Sequence, residues 1–137
     1  MQLKTHRRIL QFLIAIAALV PVITGGWGML TGHEMLGPPT TTLGVGNIAF
    51  DSHIRYLSGL LFAIGIIFLR FIPTIENRTM EVRLLTIIVF SGGLARLYAA
   101  LFVTEAPIVV WLAIGMELVV TPALCFYQGY IAKNYPV

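Results

Sequence analysis

Four ionisable side chains stand inside long apolar runs or at their mouths: Asp51, Arg55, Arg96 and Glu117. Charges in such surroundings are costly, face an interior and take partners. Two acids and two bases are therefore expected to neutralise one another, as Arg96 with Glu117 and Arg55 with Asp51 or Glu117. Residues four apart share a helix face, and three such series occur: Asp51, Arg55 and Gly59; Gly92, Arg96 and Ala100; Ala113, Glu117, Thr121 and Cys125. They predict three polar stripes converging on one buried region. Such a cluster can be an ion-pair network that fixes helix register. It can also be the floor of a pocket whose arginines hold an anionic or polar headgroup.

Other chemistry has weaker support. His33, Glu34, Asp51 and His53 are metal-capable, but their spacing matches no ligand pattern, and no metal is predicted. Glu117 beside Arg96 resembles the intramembrane proton acceptors of transporters, but it lacks a relay of further acids. No Ser-His-Asp series falls in register, no glycine loop opens a helix to cradle phosphate, and no paired histidines suit haem. Cys125 is the single cysteine and has no disulfide partner. Neither a catalytic residue nor a cofactor is predicted, and the balance leans away from an enzyme.

The elements that must hold these charges follow from composition. Of 137 residues, 58% are hydrophobic and 11% charged, against about 25% charged in soluble domains. A water-soluble domain of this size has no way to hide that much apolar surface, so lipid is the expected solvent. Four runs, at about 10–30, 52–72, 84–103 and 107–130, each suit a helix crossing the hydrocarbon core. None alternates as a barrel strand does. The expected fold is an all-α integral membrane protein, a four-transmembrane-helix bundle forming a single domain. The first run outlasts a signal-peptide core and lacks a convincing cleavage site, so it reads as a retained span. The net charge of +3 comes from bases beside apolar runs, which suits topology signals and anionic lipid contacts and not nucleic acid.

Those bases set the orientation. Lys4, Arg7 and Arg8 precede span one, Arg70, Arg78 and Arg83 lie around the second connection, and Lys133 follows span four. The connection 31–51 has no Lys or Arg, and 103–107 carries only Glu105. Both termini are therefore predicted to be cytoplasmic. Trp27 and Trp111 then fall at the outer interface, with Tyr127, Tyr130 and Tyr135 at the inner one. Arg96 and Glu117 come ~10 and ~15 Å below the outer surface. Pro21, Gly25, Gly26 and Gly28 predict a kink with close backbone contacts in span one. Gly59, Ala63, Gly92 and Gly93 are further small-residue packing sites. Met35, Leu36, Leu43, Val45 and Ile48 suggest that the outer loop 31–51 packs as a lid.

Three segments, Asp51-Ser-His-Ile-Arg-Tyr-Leu-Ser-Gly59, Gly92-Gly-Leu-Ala-Arg-Leu97 and Glu117-Leu-Val-Val-Thr-Pro122, resemble in order and spacing a family of small four-span bacterial membrane proteins, domain of unknown function 4345. The resemblance implies a four-helix fold in the bacterial inner membrane and a charged cluster typical of the family, and it brings no activity. Two roles are expected. One is a non-enzymatic accessory or interaction subunit, docking on other protein subunits or on a copy of itself. The other is a binding protein or carrier for a small amphiphile, a lipid or quinone, held by Arg55, Arg96 and Glu117.

Overall fold

Long apolar stretches with few backbone-competing side chains form helices wherever their own N–H and C=O groups can pair along the chain, and the described residues are helical apart from Arg78 and 105–107. The structure is a computed structural model that describes residues 2–36, 48–102 and 105–134. In order come α1 (Gln2–Thr31), a 3-10 segment (Gly32–Leu36), α2 (Ile48–Phe71) and a 3-10 connector (Ile72–Asn77). After these follow α3 (Thr79–Phe102), α4 (Ile108–Gly115), one π turn (Met116–Val120) and α5 (Thr121–Asn134). Four stretches, Leu3–Leu36, Ile48–Asn77, Thr79–Phe102 and Ile108–Asn134, are long and apolar enough to cross a membrane. The first three begin earlier than the apolar runs suggest, since α1 carries its helix through Lys4, Arg7 and Arg8, α2 starts at Ile48 and α3 at Thr79. α1 also continues through Pro21. The hydroxyls of Thr24, Thr31 and Ser91 each donate to the carbonyl four residues back, so none is left unpaired on an apolar face.

The chain divides into two compact units, 18–70 and 1–17 with 71–137. In the first, the second half of α1 and α2 form an antiparallel hairpin whose seam is made of small residues. A Cβ added at Gly25 would lie 2.6 Å from the Phe62 nitrogen and 2.7 Å from the Ser58 carbonyl oxygen, and one at Gly65 would lie 2.7 Å from Val22. The helix backbones touch there. The seam differs from the expected one on α2. Gly59 meets only Met29 at ordinary distance and Ala63 is exposed, because Ser58 and Gly65, seven residues and nearly two turns apart, are the pair that faces α1. After α1, Met35 packs at Gly28 and Ser58, whereas Leu36 and Ile48 are exposed. Leu43 and Val45 lie outside the described residues, as does Tyr135.

The second unit joins the first half of α1 to the 3-10 connector, α3, α4 and α5. Its buried side chains include Leu10, Ile14, Ile75, Val82, Leu85, Ile114, Ile131 and, among these apolar groups, Gln128. The connector is held from both sides. The Gln11 amide donates to the Ile72 carbonyl (2.8 Å), Arg7 to that of Pro73 (2.6 Å) and Gln128 to that of Ile75 (2.8 Å). Large apolar side chains point outward along every long helix, among them Phe12, Ile23, Leu60, Ile87, Leu101, Val109, Val119 and Phe126.

Filling the seam separates packing from propensity. Gly25→Ala is expected to lower stability in detergent by about 1–3 kcal/mol through overpacking. Gly129→Ala, where nothing lies within 4 Å of the added methyl, is expected to be neutral or stabilising by up to about 1 kcal/mol. Thermal denaturation followed by loss of the monodisperse elution peak checks both.

Candidate functional site

The predicted charges pair within units, Asp51 with Arg55 in one and Arg96 with Glu117 in the other. In the hairpin, α1 ends because Gly32 turns left-handed, with φ +60°, a conformation that costs glycine nothing and other residues more. A helix end leaves its last carbonyls without intrahelical donors. Arg55 supplies them: Nη1 donates to the carbonyls of Met29 (2.8 Å) and Leu30 (2.7 Å), while Nε donates to Asp51 Oδ2 at 2.7 Å. The cation also meets the negative end of the α1 dipole. The other carboxylate oxygen of Asp51, Oδ1, accepts the His33 backbone N–H at 3.0 Å and lies 2.8 Å from His33 Nδ1. A carboxylate oxygen only accepts, which places the imidazole proton on Nδ1. A Cβ at residue 32 would strike Asp51 Oδ1, so only glycine lets the clamp close.

Of the metal-capable set, His33 and Asp51 therefore meet, while Glu34 and His53 are exposed. Residues two apart on a helix point about 200° from each other, which turns His53 away from Asp51. Among the described residues no group of three or more His, Cys, Asp or Glu is placed to hold a metal.

In the second unit Arg96 on α3 meets Glu117 in the π turn through two parallel bonds, Nε to Oε2 and Nη2 to Oε1, each 3.1 Å. This bidentate geometry is the strong form of the carboxylate–guanidinium contact. Gly93 makes it reachable, since a Cβ there would lie 2.8 Å from Glu117 Cβ and 2.7 Å from Leu118. Its neighbour Gly92 has nothing within 4 Å and faces outward. The pair is not buried, contrary to the expected buried cluster: the Arg96 side chain is 42% exposed and that of Glu117 is 17% exposed.

The π turn breaks the predicted stripe of Ala113, Glu117, Thr121 and Cys125. One extra residue rotates everything after it by about 100°. Both the backbone N–H and the hydroxyl of Thr121 go to the Met116 carbonyl, five residues back. Pro122 has no N–H. The Glu117 carbonyl thus loses its ordinary donor to the shifted register and its five-residue donor to proline. Pro122 within the fourth run was the sequence signal for this widening.

Among the polar residues that hold the second unit, the sequence marks Arg7 only as a topology signal and Tyr127 as an interface residue, and it assigns no role to His6, Glu76 or Gln128. Arg7 bonds Glu76 at 2.8 and 3.1 Å, and His6 Nδ1 lies 2.8 Å from the Tyr127 hydroxyl. Gln128 Nε2 also donates to Thr79 Oγ1 at 3.1 Å, while its Oε1 is buried without a hydrogen-bond partner.

The family model described as a domain of unknown function, DUF4345, matches residues 9–128. The chain belongs to the DUF4345 family. Its match takes in Asp51, Arg55, Arg96 and Glu117, so both charged constellations fall in the shared region. No curated protein and no solved structure matches the chain.

Removing one member of an ion pair leaves its partner uncompensated, whereas replacing both by apolar groups often costs little. Arg96→Met and Glu117→Leu are each expected to lower the unfolding temperature in detergent more than the double variant does. A double variant at least as damaged as the sum of the singles would show that the pair does not act as a unit.

Proposed function

We propose that this protein is a four-span integral protein of the bacterial inner membrane, with both termini in the cytoplasm, and that it works without catalysis as an accessory subunit packed against other membrane helices. The observation that carries this reading is the open side of the Arg96–Glu117 pair. Arg96 lies well inside α3, and its Nη1 has no partner among the described residues. Exposed Ser91, Gly92 and Ala95 lie close by in sequence. Lipid tails offer no acceptor for the spare guanidinium donors, and a half-exposed cation at that depth is costly. A partner helix with small or polar residues satisfies both needs, as small-residue interfaces in membranes do. The partner is another subunit or a second copy of this chain.

A second reading draws support from the freed Glu117 carbonyl. With the spare Arg96 donors it gives one neighbourhood both hydrogen-bond senses, which suits the head of an amphiphile such as a lipid or a quinone. In this reading the protein is a binding protein or carrier.

Native mass spectrometry of the protein extracted in mild detergent from its own membrane separates the two. Stoichiometric protein partners or a defined oligomer, lost in the Arg96→Met/Glu117→Leu double variant, are expected. A bare monomer overturns the assembly role, and a monomer with one amphiphile per chain, lost on Glu117→Gln, replaces it with the carrier role. Orientation has its own test. A fluorescent protein fused after Val137 is expected to mature and glow in the cytoplasm. A cysteine placed at Glu34 in a Cys125→Ser chain is expected to react with a membrane-impermeant maleimide added to whole cells with permeabilised outer membranes.

A further inference from the structure

The second unit is electrically lopsided. The end that holds the 3-10 connector carries Lys4, Arg7, Arg8, Arg78, Arg83 and Lys133 against two acids, Glu76 and Glu81. Both acids are already engaged, Glu76 by Arg7 and Glu81 by Arg78. That leaves Lys4, Arg8, Arg83 and Lys133, all exposed and without an acidic partner among the described residues. They come from three helices whose ends are tied together at one level, by His6 to Tyr127 and by Gln128 to Thr79. They do not form a pocket. Arg7 points at the connector, so Arg8 is turned about 100° away from it, and the free cations are spread around the rim.

Three of the four free cations are flanked by large exposed apolar groups. Arg8 adjoins Ile9 and Phe12, Arg83 adjoins Met80, Leu84 and Ile87, and Lys133 follows Tyr130, all of them exposed. The matching ligand carries a negative head directly joined to an apolar body. Free phosphate or nucleic acid has the charge without the tail. Resting on the membrane reading above, we propose that this rim binds anionic glycerophospholipids. Lys4, Arg8, Arg83 and Lys133 hold the phosphates, and the adjoining apolar side chains line the first part of the acyl chains. Arg7 and Arg78 belong to the fold and not to this site, because their charge is met inside the protein.

The test uses the full chain, reconstituted in vesicles of equimolar phosphatidylglycerol and phosphatidylcholine, then released and analysed for retained lipid by native mass spectrometry. Phosphatidylglycerol is expected to be retained over phosphatidylcholine by about tenfold or more, since each basic side chain near an anionic surface contributes about fivefold. In the Lys4→Gln/Arg8→Gln/Arg83→Gln/Lys133→Gln variant the preference is expected to fall towards one. Equal retention by the parent chain, or an undiminished preference in the variant, overturns the proposal. Should the variant fail to fold, the parent chain decides at 1 M salt, where the screening length is ~3 Å. The preference must collapse there, and persistence overturns the site. Millimolar inorganic phosphate must leave the preference standing, since erasing it assigns the rim to free phosphate. A chain that never enters the vesicles overturns the membrane reading itself.

Discussion

A carbonyl oxygen at a helix end has lost its intrahelical donor and needs another. Much of the polar chemistry in this chain answers that constraint. Arg55 takes the carbonyls of Met29 and Leu30, where α1 stops. Gln11, Arg7 and Gln128 take those of Ile72, Pro73 and Ile75, where the chain passes from α2 to α3. Each donor is a long side chain from another helix. At these two places, satisfying the backbone and docking the helices are therefore the same event.

The two acid–base pairs answer different needs. Asp51 and Arg55 are a turn apart on one helix, and both reach out of it, one to the backbone N–H of His33 and the other to the end of α1. That pair closes a hairpin, and its charges are met within the hairpin. Arg96 and Glu117 join two helices through their side chains alone, and the guanidinium keeps donors to spare. Both arginines are 42% exposed and each keeps a terminal nitrogen without a partner among the described residues, so what distinguishes the second pair is that it serves no backbone group.

The π turn sharpens that contrast. Pro122 removes one N–H and Thr121 sends two donors to a single carbonyl, so the helix carrying Glu117 is locally underbonded at the residue that pairs with Arg96. Gly93 opposite leaves room for the widened turn. A wide turn, a missing side chain and a charged pair thus depend on one another, and changing any one of them displaces the others.

Composition and the absence of strand-like alternation were enough to determine the helical class and four stretches of spanning length, because lipid-scale apolar runs leave the backbone no other way to pair. The three motifs around Asp51, Arg96 and Glu117 were enough to place the chain in its family. Spacing also put Asp51 and Arg55 on one face, since a four-residue interval is a local property of a helix. What spacing along one helix does not carry is the phase of the helix opposite. Only the tertiary structure decided that α1 presses on Gly65 and meets Gly59 only at ordinary distance, that His53 turns away from Asp51, and that the stripe through Glu117 breaks at a π turn. It also decided that Arg55 caps α1, because the carbonyls it serves exist as acceptors only once Gly32 has ended that helix and α2 has folded back alongside it.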